Sequence, residues 1–210
     1  MSEKAKVVII GGGAVGASVL YHLAELGWSD CILVERDELT AGSTWHAAGN
    51  CPNFSTNYNV IKLQRYSTEL YSRLGDTVDY PINYHVTGSL RLAHNRERMD
   101  EFRHVASMAQ AQGIDFKVMT PAEAQEKYPF LELHDLEGAL WDPYDGDIDP
   151  SQLTQAYAKG ARDSEDILIP TPAHIHDDDL VLRHGRRDLD HMRQRMGWFQ
   201  SRDNAFHART

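Results

Sequence analysis

An α/β fold with a parallel sheet is the fold class that this sequence predicts, on three observations near its start. An apolar run, Val7-Val8-Ile9-Ile10, feeds a glycine triplet spaced G-x-G-x-x-G at Gly11, Gly13 and Gly16. Apolar residues then recur at helical spacing, Val15, Val19, Leu23 and Leu26, with Gly27 placed as a C-cap. A second apolar run, Cys31-Ile32-Leu33-Val34, ends in an acid, Glu35. Together they read as strand, helix and parallel strand, a Rossmann-like βαβ unit.

In such a unit the glycines have separate jobs. Gly11 permits the tight turn, Gly13 lets the backbone approach a pyrophosphate, and Gly16 lets the helix pack closely on the strand. The diphosphate then lies at the helix N-terminus, where the free N–H groups around Ala14 and Val15 and the helix dipole favour negative charge. An acid about 20 residues beyond the turn suits a ribose hydroxyl and opposes a 2′-phosphate, which leaves NAD or FAD.

The next segment separates those two. Residues 35 to 44, with Glu35 and Arg36 followed by Gly42, Ser43 and Thr44, resemble the second half of the long FAD fingerprint. The run from Leu39 to Gly49, LTAGSTWHAAG, resembles the dimethylglycine and sarcosine dehydrogenase branch of the D-amino-acid-oxidase-type flavoproteins. The resemblance implies that His46 carries FAD covalently through the flavin 8α carbon. Read from the residue alone, a histidine in a small-residue loop is a solvated or hydrogen-bonded side chain. Two later strings continue the likeness: Gly88-Ser89-Leu90-Arg91-Leu92-Ala93, and the stretch from Gly138 to Pro150 that precedes a helix re-entering the FAD domain.

The remaining elements follow from periodicity and caps. Val60, Leu63, Tyr66, Leu70 and Leu74 predict one face of a helix that starts near Tyr58 and stops at Gly75. Residues 85 to 93 alternate polar and apolar, as a half-buried strand does. Met99, Phe102, Val105 and Met108 predict a helix over residues 96–112. Thr120, Pro121 and Glu123 are an N-cap, a first-turn proline and an acid, opening a short helix ended by Pro129. Leu153, Tyr157 and Ala161 share a face of a helix over 151–162, with Ser151 as N-cap. Methionines and aromatics on these faces are core packing.

Composition bounds the rest. At 210 residues and 41% hydrophobic content the chain can bury one sizeable core and part of a second. A net charge of -10 argues against nucleic acid or an anionic membrane as partner. No apolar run is long enough to span a bilayer and the first residues lack a secretory core, so the expected location is cytoplasmic. Two cysteines, Cys31 and Cys51, make no disulfide framework.

The last stretch departs from this pattern. From His174 to Thr210 there is no Lys and no Glu, yet there are seven Arg, five His and six Asp. That break suggests a change of reading frame between residues 163 and 174. It divides the chain into a partial FAD-binding oxidoreductase domain, 1–163, with inserted substrate-domain elements over about 80–140, and an atypical, out-of-frame or disordered tail, 164–210. His174, His176, Asp177, Asp178 and Asp179 are ligand types, but nothing supplies a scaffold and no metal site is assigned.

The resemblance implies an FAD-dependent oxidation of the C–N bond of an N-methylated amino acid, by hydride transfer to flavin N5. A small-molecule amine would be the substrate and a flavoprotein the electron acceptor. The alternative is a catalytically inactive FAD-binding fragment or subunit needing a partner chain. An NAD-dependent dehydrogenase is weakened by Gly42 and Ser43. Arg91, within the matching strand, could approach a substrate, and Tyr84 and His85 are in a similar position; an exposed salt bridge explains Arg91 equally well, and no catalytic residue is assigned.

Overall fold

The computed structural model describes residues 5–163 and, beyond them, the backbone of three short strands. The chain divides into two units: Met1–Ala47, Thr77–Pro81 and Pro150–Thr210 form the first, Ala48–Asp76 and Ile82–Asp149 the second.

The first unit opens with β1 (Val7–Ile10), α1 (Ala14–Glu25) and β2 (Cys31–Val34). The strands pair in parallel, Val7 opposite Cys31 and Ile10 opposite Val34. All four residues of β2 are buried, the mark of a strand covered on both faces. Gly27 ends α1 at φ +75°, its N–H donating to the Ala24 carbonyl. The buried face of α1 differs from the expected one. Ala17, Leu20 and Tyr21 are buried, whereas Val15, Val19 and Leu26 are 80%, 44% and 75% exposed. The helix is apolar on more than one side, and only one side can pack on the sheet.

The second unit contains α2 (Tyr58–Thr77), β3 (Tyr84–His85), β4 (Ser89–Ala93), α3 (Arg96–Gln110), β5 (Lys117–Met119), α4 (Pro121–Lys127), β6 (Gly138–Asp142) and β7 (Asp147–Ile148). β4, β6 and β5 form an antiparallel sheet with β6 in the centre, and β3 pairs with β7. Phe102, Val105 and Ala109 of α3 pack with Ile61 of α2, Ala93 of β4 and Leu140 of β6.

Several boundaries are corrected. α2 runs through Gly75, whose helix penalty of about 1 kcal/mol is outweighed by burial of Leu70 and Leu74 on either side of the preceding turn. Its buried face is Ile61, Thr68, Leu70 and Leu74, with Val60, Leu63 and Tyr66 outside. The strand expected over 85–93 is interrupted at 86–88, where Gly88 turns at φ +70° and its N–H donates to the Asp145 carbonyl at 2.8 Å. α3 stops at Gln110 because Gly113 turns the chain and Ile114 N–H returns to the Ala109 carbonyl. Asn95 caps its start, accepting from Arg98 N–H at 2.8 Å, and α4 has the expected capping box of Thr120 and Glu123.

The chain returns to the first unit through α5 (Pro150–Arg162), which begins at the proline, so Ser151 lies inside the helix and is not its N-cap. Tyr157 of α5 meets Tyr21 of α1, ring centroids 5.3 Å apart. β8 (Ile167–Leu168) then pairs in parallel with β2, giving the order β1-β2-β8. β9 (Ala173–His176) and β10 (Asp179–Leu182) make an antiparallel hairpin. The rest of 164–210 lies outside the described residues, and with it the expectations of a frame change, of disorder and of idle ligand side chains.

Candidate functional site: the glycine turn and the loop beside it

The connection from β1 to α1 is built on close backbone approach. Gly11 takes φ +108°, which a side chain would strain, and a Cβ on Gly16 would overlap the Gly11 carbonyl oxygen. The third glycine therefore serves the turn itself as much as the strand packing, Ile9 Cγ2 lying at 3.4 Å from the same position. Gly13 is the N-cap residue of α1 and lends no side chain to that role. This leaves backbone N–H groups at the helix start for an anion.

Gly12, absent from the expected site, is the buried centre of the turn. A Cβ there would stand 2.6 Å from Leu39 Cδ2 and 2.9 Å from Glu35 Cβ. Its N–H donates to Glu35 Oε2 at 2.6 Å, and its carbonyl accepts from Thr40 N–H at 3.0 Å. The signal was present as a third consecutive glycine, but the dinucleotide spacing assigns that position no role. Glu35 thus reaches the turn, with its other oxygen accepting from Asp37 N–H at 3.2 Å. Arg36 points outward and pairs with Asp37 at 3.4 Å.

Residues 39–47 fold back onto the same turn. Thr44 Oγ1 accepts from Ala14 N–H at 3.1 Å, so this hydroxyl already satisfies one first-turn donor of α1. Thr40, at φ +75°, accepts from Trp45 N–H through its carbonyl at 3.2 Å. Gly42 and Ser43 are exposed, and His46 is exposed beside Trp45, rings edge to face at 4.9 Å. The structure therefore gathers Gly11, Gly13, Ala14, Gly16, Glu35 and Thr44 around one turn. Val15 and Arg36 lie outward, and the segment 42–46 forms an open loop next to it.

A glycine turn free of side chains, a helix N-terminus and an acid at the end of β2 fit a dinucleotide such as FAD by donor set and by room for close backbone approach.

In the second unit His85 Nδ1 stands 3.1 Å from Asp147 Oδ1 on the surface. Tyr84 packs edge-on against Tyr71, and burial first, then Cys51 and Asp145, push its phenol up to about 12. Among the described residues Arg91 has no salt bridge; it lies over the Phe54 ring. A buried polar link with no local mark among its residues lies here: Asp142 accepts from Asn53 N–H at 3.1 Å and from Tyr144 N–H at 3.0 Å, and Asn53 in turn accepts from Thr68 at 3.1 Å. Burial raises the Asp142 carboxyl above its ordinary value, partly offset by those N–H groups. A groove of about 420 Å³ is lined by Leu92, His94, Asn95, Glu97, Arg98 and Glu101. Four of its polar groups are already engaged, Asn95 in the α3 cap, Arg98 and Glu101 with each other, and His94 with Asp135. Among the described residues no helix is long and apolar enough to cross a membrane.

Comparison with known proteins agrees with this geometry. The family model described as "DAO: FAD dependent oxidoreductase" matches residues 6–173. Dimethylglycine dehydrogenase, mitochondrial, of Rattus norvegicus is 40% identical over 173 residues, 82% of this chain and 20% of its own length. Sarcosine dehydrogenase, mitochondrial, of Homo sapiens is 37% identical over 162 residues, 77% of this chain and 18% of its own. The crystal structure of L-proline dehydrogenase from P.horikoshii superposes with TM-score 0.75 at 25% identity, covering 85% of this chain and 47% of that one. The chain therefore spans about a fifth of those two curated relatives and about half of that solved structure. It belongs to the DAO family of FAD-dependent oxidoreductases.

Proposed function

We propose that this chain supplies the FAD-binding part of an oxidoreductase acting on the C–N bond of an N-methylated amino acid of the dimethylglycine or sarcosine type. The observation that carries the reading is the attachment of the 39–47 loop to the glycine turn through Gly12–Thr40 and Ala14–Thr44. In this reading Gly11, Gly13 and Gly16, with the N–H group of Val15 and that of Ala14, shared with the Thr44 hydroxyl, hold the pyrophosphate; Glu35, with Arg36 beside it, takes the ribose end. Gly42, Ser43 and Thr44 form the second turn, and His46 is the point of covalent attachment. The exposure of His46 in a loop of small residues supports that role. When bound, FAD supplies at N5 an acceptor for the hydride that leaves the carbon beside nitrogen. A flavoprotein would be the electron acceptor. The domain runs through residue 163, and the two free, buried thiols, Cys31 and Cys51, suit a reducing compartment such as the cytoplasm.

The test is to purify the chain, precipitate it with acid and measure flavin absorbance in the pellet, alongside His46→Ala. Flavin in the wild-type pellet and none with His46→Ala is the expected result. Flavin released intact from the wild type removes His46 from the attachment, and no flavin in the native protein refutes the FAD-binding reading for this chain.

A further inference from the structure

The loop over residues 39–47 is joined to the glycine turn at two points of different kind. One runs between backbones, Thr40 N–H donating to the Gly12 carbonyl at 3.0 Å. The other is a side chain, the Thr44 hydroxyl, which accepts from Ala14 N–H at 3.1 Å. Between them the loop is tied to itself, Trp45 N–H donating to the Thr40 carbonyl and Ala47 N–H to the Thr44 carbonyl, both at 3.2 Å. Thr40 takes φ +75°, a backbone conformation that side chains rarely adopt, and marks the bend at which the loop leaves the turn.

The side-chain attachment stands in the cradle of the glycine turn. Gly13 is the N-cap residue of α1 and has no side chain with which to cap it. Thr44, 30 residues beyond Ala14, supplies that cap instead, its Oγ1 lying 2.9 Å from where a Cβ on Gly13 would be. This is the space that a glycine here keeps clear for close approach of a diphosphate, and FAD, on which this family depends, carries one. The hydroxyl and a phosphate oxygen cannot both stand there, so they hold Ala14 N–H in turn. The phosphate oxygen is the stronger acceptor, charge-assisted hydrogen bonds being roughly twice as strong as neutral ones. Gly13, Ala14 and Thr44 are all half-buried, so a ligand can reach them from solvent.

We propose that Thr44 is an exchangeable cap: its hydroxyl closes the start of α1 until a diphosphate arrives, then yields Ala14 N–H to it, which frees the loop to rock on its Thr40–Gly12 attachment. His46 lies two residues from Thr44, so the same exchange releases the segment that carries it. That the diphosphate is that of FAD rests on the function proposed above; the exchange itself needs no flavin.

The experiment uses the full chain with ADP as probe, which carries a diphosphate and no flavin, and adenosine as control, on the wild type, Thr44→Val and Thr44→Ser. Without ADP, Thr44→Val should melt below wild type, and saturating ADP should close that gap. By calorimetric titration Thr44→Val should bind ADP about fivefold more tightly than wild type, the worth of one helix cap expressed as a binding ratio. Thr44→Ser, which keeps the hydroxyl, should match wild type in both measurements, and adenosine should not distinguish the three proteins. If Thr44→Val does not fold, amide hydrogen exchange over residues 42–47 of the wild type decides: ADP should quicken it and adenosine leave it unchanged. Equal or weaker ADP binding by Thr44→Val, a melting gap that ADP leaves open, exchange that ADP does not quicken, or no binding of ADP at all overturns the proposal. Retained flavin with equal ADP affinities would sink this idea alone, and the expected ADP results with no flavin in the native protein would sink the FAD reading alone.

Discussion

Gly12→Ala tests the reading of the glycine turn most directly. The added methyl would meet Leu39 Cδ2 at 2.6 Å and Glu35 Cβ at 2.9 Å, whereas ordinary contact begins near 3.4 Å. Leu39 is a core residue, 8% exposed, and Glu35 is held by its bond from Gly12 N–H, so neither side can withdraw without loss. Overpacking of this kind costs about 1–3 kcal/mol. In a chain of this length each kcal/mol lowers Tm by about 2–4 °C. Gly42→Ala is the matched control, because a Cβ there meets nothing within 4 Å and its backbone needs no positive φ. Thermal unfolding should show Gly12→Ala lowered and Gly42→Ala close to wild type, and Gly12→Ala should retain less flavin than the wild-type chain. Equal Tm in the two variants, with Gly12→Ala holding as much flavin as wild type, would refute the view that Gly12 sets the spacing between turn, Glu35 and loop.

Phe102→Ala, at a fully buried core position, should lose about 3–5 kcal/mol in denaturant unfolding, while Val15→Ser, on the exposed face of α1, should stay within about 0.5 kcal/mol of wild type. Asn95→Ala removes the acceptor for Arg98 N–H and should cost about 1 kcal/mol. The Cys51 thiol, pushed up to about 11 by burial and then by Asp145 and Asp147, should resist alkylation at pH 8 until the protein is unfolded. Its linkage has a definite sign: the unfolded thiol ionises first, so stability present below pH 9 declines as pH rises toward 11. Titrated unfolding of wild type against Cys51→Ser measures that slope. Asp142 works the same way in acid. Its carboxyl is raised in the fold, so wild type should gain stability relative to Asp142→Asn as pH falls toward the ordinary carboxylate value.

What could be read from the residues were features that depend on near neighbours in the chain. The βαβ start, the Gly27 stop and the Thr120–Glu123 capping box all rest on spacings of a few residues, and the structure has each of them. The choice of buried face was not legible where a helix is apolar on two sides: Val15 and Val19 are as hydrophobic as Leu20, and only the sheet decides between them. The interruption of the strand at 86–88 depends on Gly88 reaching Asp145, far along the chain. At the site, the spacing of Gly11, Gly13 and Gly16 was legible, but the part played by Gly12 was not, because it arises from Leu39 and Glu35 arriving from after β2. The Asn53–Asp142 link joins residues 89 apart and carries no local mark at all.

The first unit is discontinuous, and this orders its assembly during translation. Its opening residues, Met1–Ala47, emerge from the ribosome early, yet α5 and β8, which complete their packing and flank β2, are made only after the second unit has been synthesised. At about 5–20 residues per second the nascent β1-α1-β2 segment waits some seconds for them. The second unit, uninterrupted but for residues 77–81, can close around Phe102 and Leu140 in that interval. The part of the protein begun first is therefore the part finished last, and the apolar surface that waits in the emerging chain is that of Leu20 and Leu33, which end up buried in one cluster with Ala158 and Ala161 of α5.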